Sequence, residues 1–295
     1  MKKLIQKTVP VIIMFLGLCM LGYPLISEYL FEHRVDSEIH TYSDSLNRYD
    51  LNDFKAMLDE AVAYNEALTE AQVTLTDPFL EEAMDKENGL EYKDILSMGD
   101  TGVMAYIDIP AIDVYLPVYH GTSSEVLTRG VGHLEGTSFP VGGLGTHAVL
   151  TGHTGMNRAK LFTDLCELTP GDVFYIHVFN EVIAYEVSDI FVVLPEDTSR
   201  LLIQSEDDLV TLVTCTPYGV NTHRLLVRGQ RIPYVKEAYE DDILTGPKET
   251  SSKWMSAYRH AILIGLGVTL LLFILLICAG KLRYRKLRYR KRLSP

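Results

Sequence analysis

Between Gly102 and Ile232 the chain reads as seven short apolar runs punctuated by glycine, proline and asparagine, with no periodic stretch between them long enough for crossover helices. The runs are Gly102 to Ile109, Ile112 to Val118, His147 to Thr151, Val173 to Phe179, Val182 to Leu194, Leu209 to Thr214 and Leu225 to Ile232. A parallel α/β sheet needs a helix between successive strands, so this text favours a closed barrel or a sandwich. Phe179-Asn-Glu-Val182 predicts a tight hairpin connection. Residues 35–99 differ: they are polar and acidic, and Leu51, Phe54, Leu58, Ala61 and Leu68 recur at helical spacing. Within them Leu75-Thr-Asp77-Pro78-Phe79 breaks the pattern, because proline fixes its own φ and disfavours helix at the residue before it. By itself an aromatic beside such a turn marks a loop anchor. A body of about 230 residues, roughly 130 of them in the β part, suffices for one good core.

Both ends carry a different pattern. Val9 to Ile26 is uncharged and apolar, preceded by Lys2, Lys3 and Lys7 and followed by Glu28. Ala261 to Gly280 is a second uncharged apolar run, long enough to span a bilayer as a helix. Behind it, Lys281 to Arg292 holds eight basic residues and no acidic one. The positive-inside rule then puts both termini in the cytoplasm and the middle outside. An uncleaved anchor is favoured over a cleaved secretory signal at the first run, since no small-x-small site precedes Glu28. The two basic flanks hold eleven of the 27 Lys and Arg residues, leaving the middle with 16 basic against 39 acidic residues, a balance of about −23. Such a body argues against nucleic acid as a partner and suits cationic or lysine-bearing partners, although solubility alone would explain it equally well.

Of the four cysteines, Cys19 and Cys278 lie in the apolar runs, and Cys166 and Cys215 lie between them. Metal-ligand spacing is absent, as are a glycine-rich phosphate loop and a clustered set of His and carboxylates, so no cofactor is expected. A disulfide between Cys166 and Cys215 is the structural alternative to a reactive thiol. Cys166 sits in an amphipathic turn, Leu161 to Leu168, where a small buried apolar role is the ordinary one. Cys215 ends a buried strand, Asp208 to Thr214, and Arg224 opens the next after a turn marked by Pro217, Gly219 and Asn221. A hairpin of this form brings Cys215 and Arg224 to one end of a sheet, where a fixed positive charge favours the nucleophilic thiolate.

A cysteine nucleophile needs a proton carrier, usually histidine. His33, His40 and His260 lie in helical or juxtamembrane stretches, His177 sits mid-strand in a structural setting, and His223 points away from its neighbour Arg224 in an extended chain. His120, His133 and His147 flank turns or strand starts. His153 follows the strand Ala148 to Thr151 and stands in the loop Gly152-His-Thr-Gly155, the context of a site at a strand end.

These residues carry a family resemblance. Thr211-Leu-Val-Thr-Cys215 with Arg224, Thr151-Gly-His153-Thr-Gly155, Gly130-Val-Gly-His-Leu-Glu-Gly-Thr-Ser138 and Ala159-Lys-Leu-Phe-Thr-Asp164 resemble the sortases, and among them the class C, pilin-polymerising sortases of Gram-positive bacteria. The likeness covers about residues 50 to 235, and the two apolar runs and Asp77-Pro78-Phe79 suit that class. One departure is Thr154-Gly-Met-Asn-Arg158, where many pilin sortases have a basic residue and Leu-Pro; it bears on substrate preference. Cys166 is a second departure, at a position often acidic in the family.

The resemblance implies a mainly β fold: a closed sortase-type barrel, a helical N-terminal subdomain with a lid, and two flanking transmembrane helices. The expected divisions are an N-terminal membrane segment at 1–27, a helical region at 28–100 with the lid at about 75–80, the catalytic barrel at 101–235, a juxtamembrane linker at 236–260, a span at 261–280 and a basic cytoplasmic tail at 281–295. It further implies that Cys215 attacks an LPxTG-like sorting signal between Thr and Gly and forms a thioester. His153 would protonate the leaving amine, Arg224 would hold the substrate backbone or oxyanion, and Thr214 would support the substrate site. Asp77, Pro78 and Phe79 would form the lid over Cys215 and Arg224. The acyl group would pass to a lysine of the next pilin. Alternatives are a housekeeping sortase that anchors proteins to cell-wall peptide, a membrane-anchored hydrolytic cysteine peptidase, and a non-catalytic scaffold held by the disulfide.

Overall fold

The computed structural model describes residues 2–70, 74–80, 90–98, 101–156, 159–247, 258 and 260–269. They contain the helices α1 (Lys2–Leu46), α2 (Leu51–Glu70), α3 (Leu90–Asp94), α4 (Ser124–Arg129) and α5 (Lys236–Thr245). The strands are β1 (Val103–Ile109), β2 (Val114–His120), β3 (Val131–His133), β4 (Thr146–Thr151), β5 (Val173–Val178), β6 (Glu181–Val193), β7 (Asp208–Thr216) and β8 (His223–Ile232). They close into one barrel in the order β1-β2-β3-β4-β7-β8-β6-β5, which removes every sheet edge. Seven of the eight match the apolar runs of the sequence.

β3 was not among those runs. It is three residues long, pairs parallel with β2 and antiparallel with β4, and contains Gly132. A Cβ at Gly132 would lie 2.4 Å from the Gly121 carbonyl oxygen, so close strand approach requires glycine there. That glycine also erases the apolar signature of a strand. Two pairings set the active end: β4 runs parallel to β7, with Thr151 opposite Val213, and β7 forms an antiparallel hairpin with β8, with Cys215 opposite Arg224.

The N-terminal helices share the barrel's core. Phe31, Val35, Ile39 and Tyr42 repeat at i, i+4 and i+3 along α1 and are buried against β1 and β2. Burial of such side chains contributes about 1.5–3 kcal/mol each. The Tyr42 hydroxyl accepts from the Phe179 amide at 2.8 Å and donates to the Met104 carbonyl at 3.3 Å. Glu38 of α1 accepts from the Tyr119 hydroxyl and from Arg129 Nη2, the latter at 3.3 Å. α2 starts where Asp50 Oδ1 accepts from the Asn52 and Asp53 amides at 2.7 and 2.9 Å, a side-chain cap. Asn65 of α2 holds both backbone groups of Phe139, at 2.7 and 3.1 Å. Helical region and barrel therefore fall in one compact unit, residues 1–251, with 252–295 as a second.

Of the finer expectations, one changes and one gains no support. The 236–260 linker starts as a helix: Tyr239 of α5 donates to Asp108 Oδ2 at 2.8 Å, and Tyr175 donates to Asp242 of α5 at 2.5 Å. Cys166 is exposed rather than buried, because the 3₁₀ turn Thr163–Glu167 turns Thr163, Asp164 and Leu165 inward and leaves the thiol outside. The two flanking transmembrane helices gain no support, since no helix among the described residues is long and apolar enough to cross a membrane. The first run lies within α1; the second is helical over 261–269, and its remainder, with the basic tail, lies outside the described residues.

Candidate active site

β4 and β7 run side by side in the same direction; β4 ends at Thr151, while β7 continues to Thr216 beside β8. His153 stands two residues past Thr151, and Cys215 two residues past its partner Val213. Two hydrogen bonds hold the departing chains in register: the Gly152 amide donates to the Val213 carbonyl at 3.0 Å, and Thr214 Oγ1 donates to the Gly152 carbonyl at 2.7 Å. Position 152 must be glycine, because a Cβ there would meet the Phe162 ring at 2.7 Å. Phe162 in turn donates its amide to the His153 carbonyl at 3.1 Å. Residues directly opposite in an antiparallel pair share a face, so Arg224 projects on the same side as Cys215.

That face is distinct from the main core. Along β4, β7 and β8, Ala148, Leu150, Val210, Leu212, Leu225 and Val227 join the main cluster. Their alternates Val149, Val213 and Leu226 form a second, smaller cluster with Leu134 and Leu201. The segment 74–80 lies over it, inserting Leu75 and Phe79. Thr198, in the loop between β6 and β7, donates to the Leu75 carbonyl at 3.3 Å.

Asp77 makes the strongest polar contact of this segment. Its carboxylate takes Arg224 Nε at 2.8 Å and Nη2 at 2.6 Å, a two-point pair that leaves its own side chain 1 % exposed. Arg224 Nη1 also reaches the carbonyls of Asn221 and His223, at 3.2 and 3.1 Å. The Phe79 ring lies 5.0 Å from the Arg224 guanidinium carbon and 5.6 Å, centre to centre, from the His153 imidazole. Asp77 and Phe79 thus engage Arg224 and His153, while Leu75 fastens the same segment to the apolar cluster.

The electrostatics follow from this cover. Burial pushes the Cys215 thiol up; Arg224 pulls it down and Asp77 raises it again. Burial pushes the His153 imidazole below its ordinary range. Both groups are driven toward their neutral forms, with the proton on sulfur. Cys215 and Cys166 are both free thiols.

Other histidines near the barrel are committed to structure. The His133 ring is fully buried between the Tyr92 hydroxyl at 2.7 Å and the Ser138 carbonyl at 2.8 Å. His147 is held between the Leu202 carbonyl at 3.0 Å and Thr211 Oγ1 at 2.7 Å, and His120 is bonded to the Ile95 carbonyl at 2.7 Å. His153 is the histidine at the end of β4 whose ring lies against Phe79 of segment 74–80. Of the departing stretch Thr154 to Arg158, Asn157 and Arg158 lie outside the described residues. Thr198 escaped the sequence reading, as did the anchoring role of Leu75, for which the apolar pair at i and i+4 in Leu75-Thr-Asp77-Pro78-Phe79 was the available signal.

Comparison with known proteins gives one consistent result. The sortase-domain family profile matches residues 107–232. Sortase A of Staphylococcus aureus is 31% identical over 150 residues, 50% of this chain and 71% of that protein. Sortase D of Bacillus subtilis is 30% identical over 129 residues, 43% of this chain; the match spans 62% of that relative, somewhat under two thirds. Among solved structures, sortase C-1 of Streptococcus pneumoniae is 46% identical with a TM-score of 0.63, covering 68% of this chain and all of the other. Sortase C-1 of Actinomyces oris is 49% identical with a TM-score of 0.58, covering 61% and 99%.

Proposed function

The chain belongs to the sortase family, and on that premise we propose that it is a cysteine transpeptidase that joins pilin subunits. The observation that carries this reading is the pairing of Cys215 with Arg224 across β7 and β8, beside His153 at the end of the parallel strand β4. Support for the pilin class comes from the segment Asp77-Pro78-Phe79 and from the similarity to sortase C-1 proteins and to a Streptococcus pneumoniae sortase C described in terms of pilin substrate specificity.

The donor is an LPxTG-like peptide. The Cys215 thiolate attacks the threonine carbonyl, forming a C–S bond, and the oxyanion faces the Arg224 guanidinium, a permanently charged planar donor. As the C–N bond breaks, the His153 imidazolium gives its proton to the departing glycine amine. A pilin lysine amine then attacks the thioester, its proton goes to the neutral imidazole, and the thiolate leaves as the isopeptide bond forms. Thr214 supports the site by holding Gly152, the residue before His153.

Residues 74–80 act as a lid with a chemical as well as a steric effect. Asp77 occupies the guanidinium that the oxyanion needs, and the cover's desolvation keeps thiol and imidazole neutral. Lid opening frees Arg224 and admits water, and both changes favour the ion pair. The two apolar runs, by their length and basic flanks, serve as membrane spans that leave the barrel on the extracytoplasmic face and both termini in the cytoplasm.

Mass spectrometry of the detergent-solubilised full chain after incubation with an LPxTG-type peptide tests the reading. A thioester adduct equal to the peptide minus its glycine end, absent from Cys215→Ala, is the expected result. Transfer that depends on a pilin lysine supports the polymerase; transfer to a cell-wall peptide amine marks a housekeeping sortase, and release to water alone marks a peptidase.

A further inference from the structure

Thr151 closes β4, two residues before His153, and is fully buried, yet its hydroxyl has no hydrogen-bond partner among the described residues. Buried threonines around it differ. Thr146 donates to the Gly143 carbonyl at 2.7 Å, Thr137 to the Leu134 carbonyl at 2.6 Å, Thr214 to the Gly152 carbonyl at 2.7 Å, and Thr211 pairs with His147. A buried hydroxyl without a partner carries a desolvation cost that valine, of the same shape, does not. For stability alone, threonine is the worse residue here.

Its position gives the hydroxyl a use. Alternation along β4 puts Thr151 on the face of Val149, and it stands opposite Val213, whose next neighbour on that face is Cys215. Val149 and Val213 lie in the small cluster onto which Leu75 and Phe79 pack. A peptide that presents its scissile carbonyl to Cys215 after the lid lifts must cross this part of the sheet. Resting on the transpeptidase reading above, we propose that Thr151 is a specificity-determining residue: its hydroxyl hydrogen-bonds a polar group of the donor peptide at or beside the scissile threonine. The closed lid leaves the hydroxyl unsatisfied, and donor binding satisfies it. A donor that lacks the group leaves a buried polar atom unpaired, the situation in which binding sites discriminate most strongly.

The test compares full-length wild type, Thr151→Val and Thr151→Ser in detergent. It measures thioester formation with an LPxTG-type peptide, the rate at which a small methanethiosulfonate reagent modifies Cys215, and the thermal midpoint. Thr151→Val is expected to melt at or above wild type and to react with the small reagent at an unchanged rate. Its kcat/KM for thioester formation should fall about 10-fold, chiefly through KM, and Thr151→Ser should recover most of it. Donors carrying Thr, Ser or Val before the scissile bond separate the two sources of the polar group: a deficit that vanishes with the Val donor identifies the side-chain hydroxyl, and one that persists identifies the backbone. Unchanged thioester formation in Thr151→Val, or an equal fall in both reactions, overturns the proposal. Absence of any adduct in the wild type overturns the transpeptidase reading and the subsite with it. Should valine prevent folding, Thr151→Ser against Thr151→Ala carries the same comparison.

Discussion

Two acid–arginine pairs tie helical-region residues to the barrel, and their difference shows what local geometry adds to chemistry. Glu38 and Arg129 join α1 to the end of α4 through one contact at 3.3 Å, with side chains 17 % and 31 % exposed and the Tyr119 hydroxyl sharing the carboxylate. Asp77 and Arg224 meet through two contacts at 2.8 and 2.6 Å, almost fully buried, with a thiol on the paired residue and an aromatic ring over the guanidinium. The first pair fastens a helix that apolar burial already holds. The second pair neutralises a charge that the neighbouring sulfur would otherwise use. A carboxylate close to an arginine is therefore no sign of function by itself. Here the sign is what else the arginine faces.

Arginine replacement sharpens the contrast most. Arg224→Ala should reduce thioester formation by about 100-fold or more, the scale of removing an oxyanion donor, as read from peptide adduct rates. Arg129→Ala should leave that rate within about twofold and cost about 1 kcal/mol of stability by denaturant melt. Equal losses of activity in both would mean that Arg224 serves the fold rather than the reaction.

The acid partners come next. Asp77→Ala should speed modification of Cys215 by a small thiol reagent by about tenfold and shift its pH–rate profile to lower pH, because a carboxylate that raises the thiol's pKa is removed and water reaches the site. Glu38→Gln should change neither. A profile that moves to higher pH in Asp77→Ala would contradict the lid's electrostatic role. Phe79→Ala should give a smaller acceleration than Asp77→Ala, since the Asp77–Arg224 pair and the packing of Leu75 on Val149, Val213 and Leu226 both remain. Replacing Leu75 as well should bring the rate up to that of Asp77→Ala.

A last effect, on stability rather than on the reaction, concerns the histidines that the site does not use. Burial lowers His133 to about 3 and His120, His147 and His177 to about 4. Their unfolded forms bind protons first as pH falls below about 6.5, so stability is full above that value and is lost toward pH 4, on the order of 1 kcal/mol per histidine at pH 5.5. Asp108, pushed up to about 6 by burial, works in the opposite sense, and its contribution is lost as pH rises through about 6. These four histidines outweigh the raised carboxyls Asp108 and Glu32 and should leave the thermal midpoint lower at pH 5.5 than at pH 7.5. A flat profile would show that these rings reach solvent.

Much was legible in the sequence because it depends on neighbours along the chain. Period-two and continuous apolar runs announced seven strands, and the helical spacing of Phe54, Leu58 and Ala61 announced α2. Cys215 and Arg224 could be paired because a hairpin is a local object whose turn residues set its register. β3 was invisible, since a three-residue strand built around glycine has neither apolar alternation nor length. Cys166 was misjudged because which side of a 3₁₀ turn faces water depends on what packs against it.

The sequence by itself determined the strand set, the helical leader and a short roster of chemically able residues: one thiol on a strand end, several histidines, one well-placed arginine. Tertiary structure decided how they meet. Parallel pairing of β4 with β7 joins residues about sixty apart and brings His153 to Cys215, while His133 and His147, equally able on paper, are locked into hydrogen bonds. It also put Asp77 on Arg224 across 147 positions of chain. Protonation and access are set by desolvation and by charges a few ångströms away, and neither can be read from a linear order of residues.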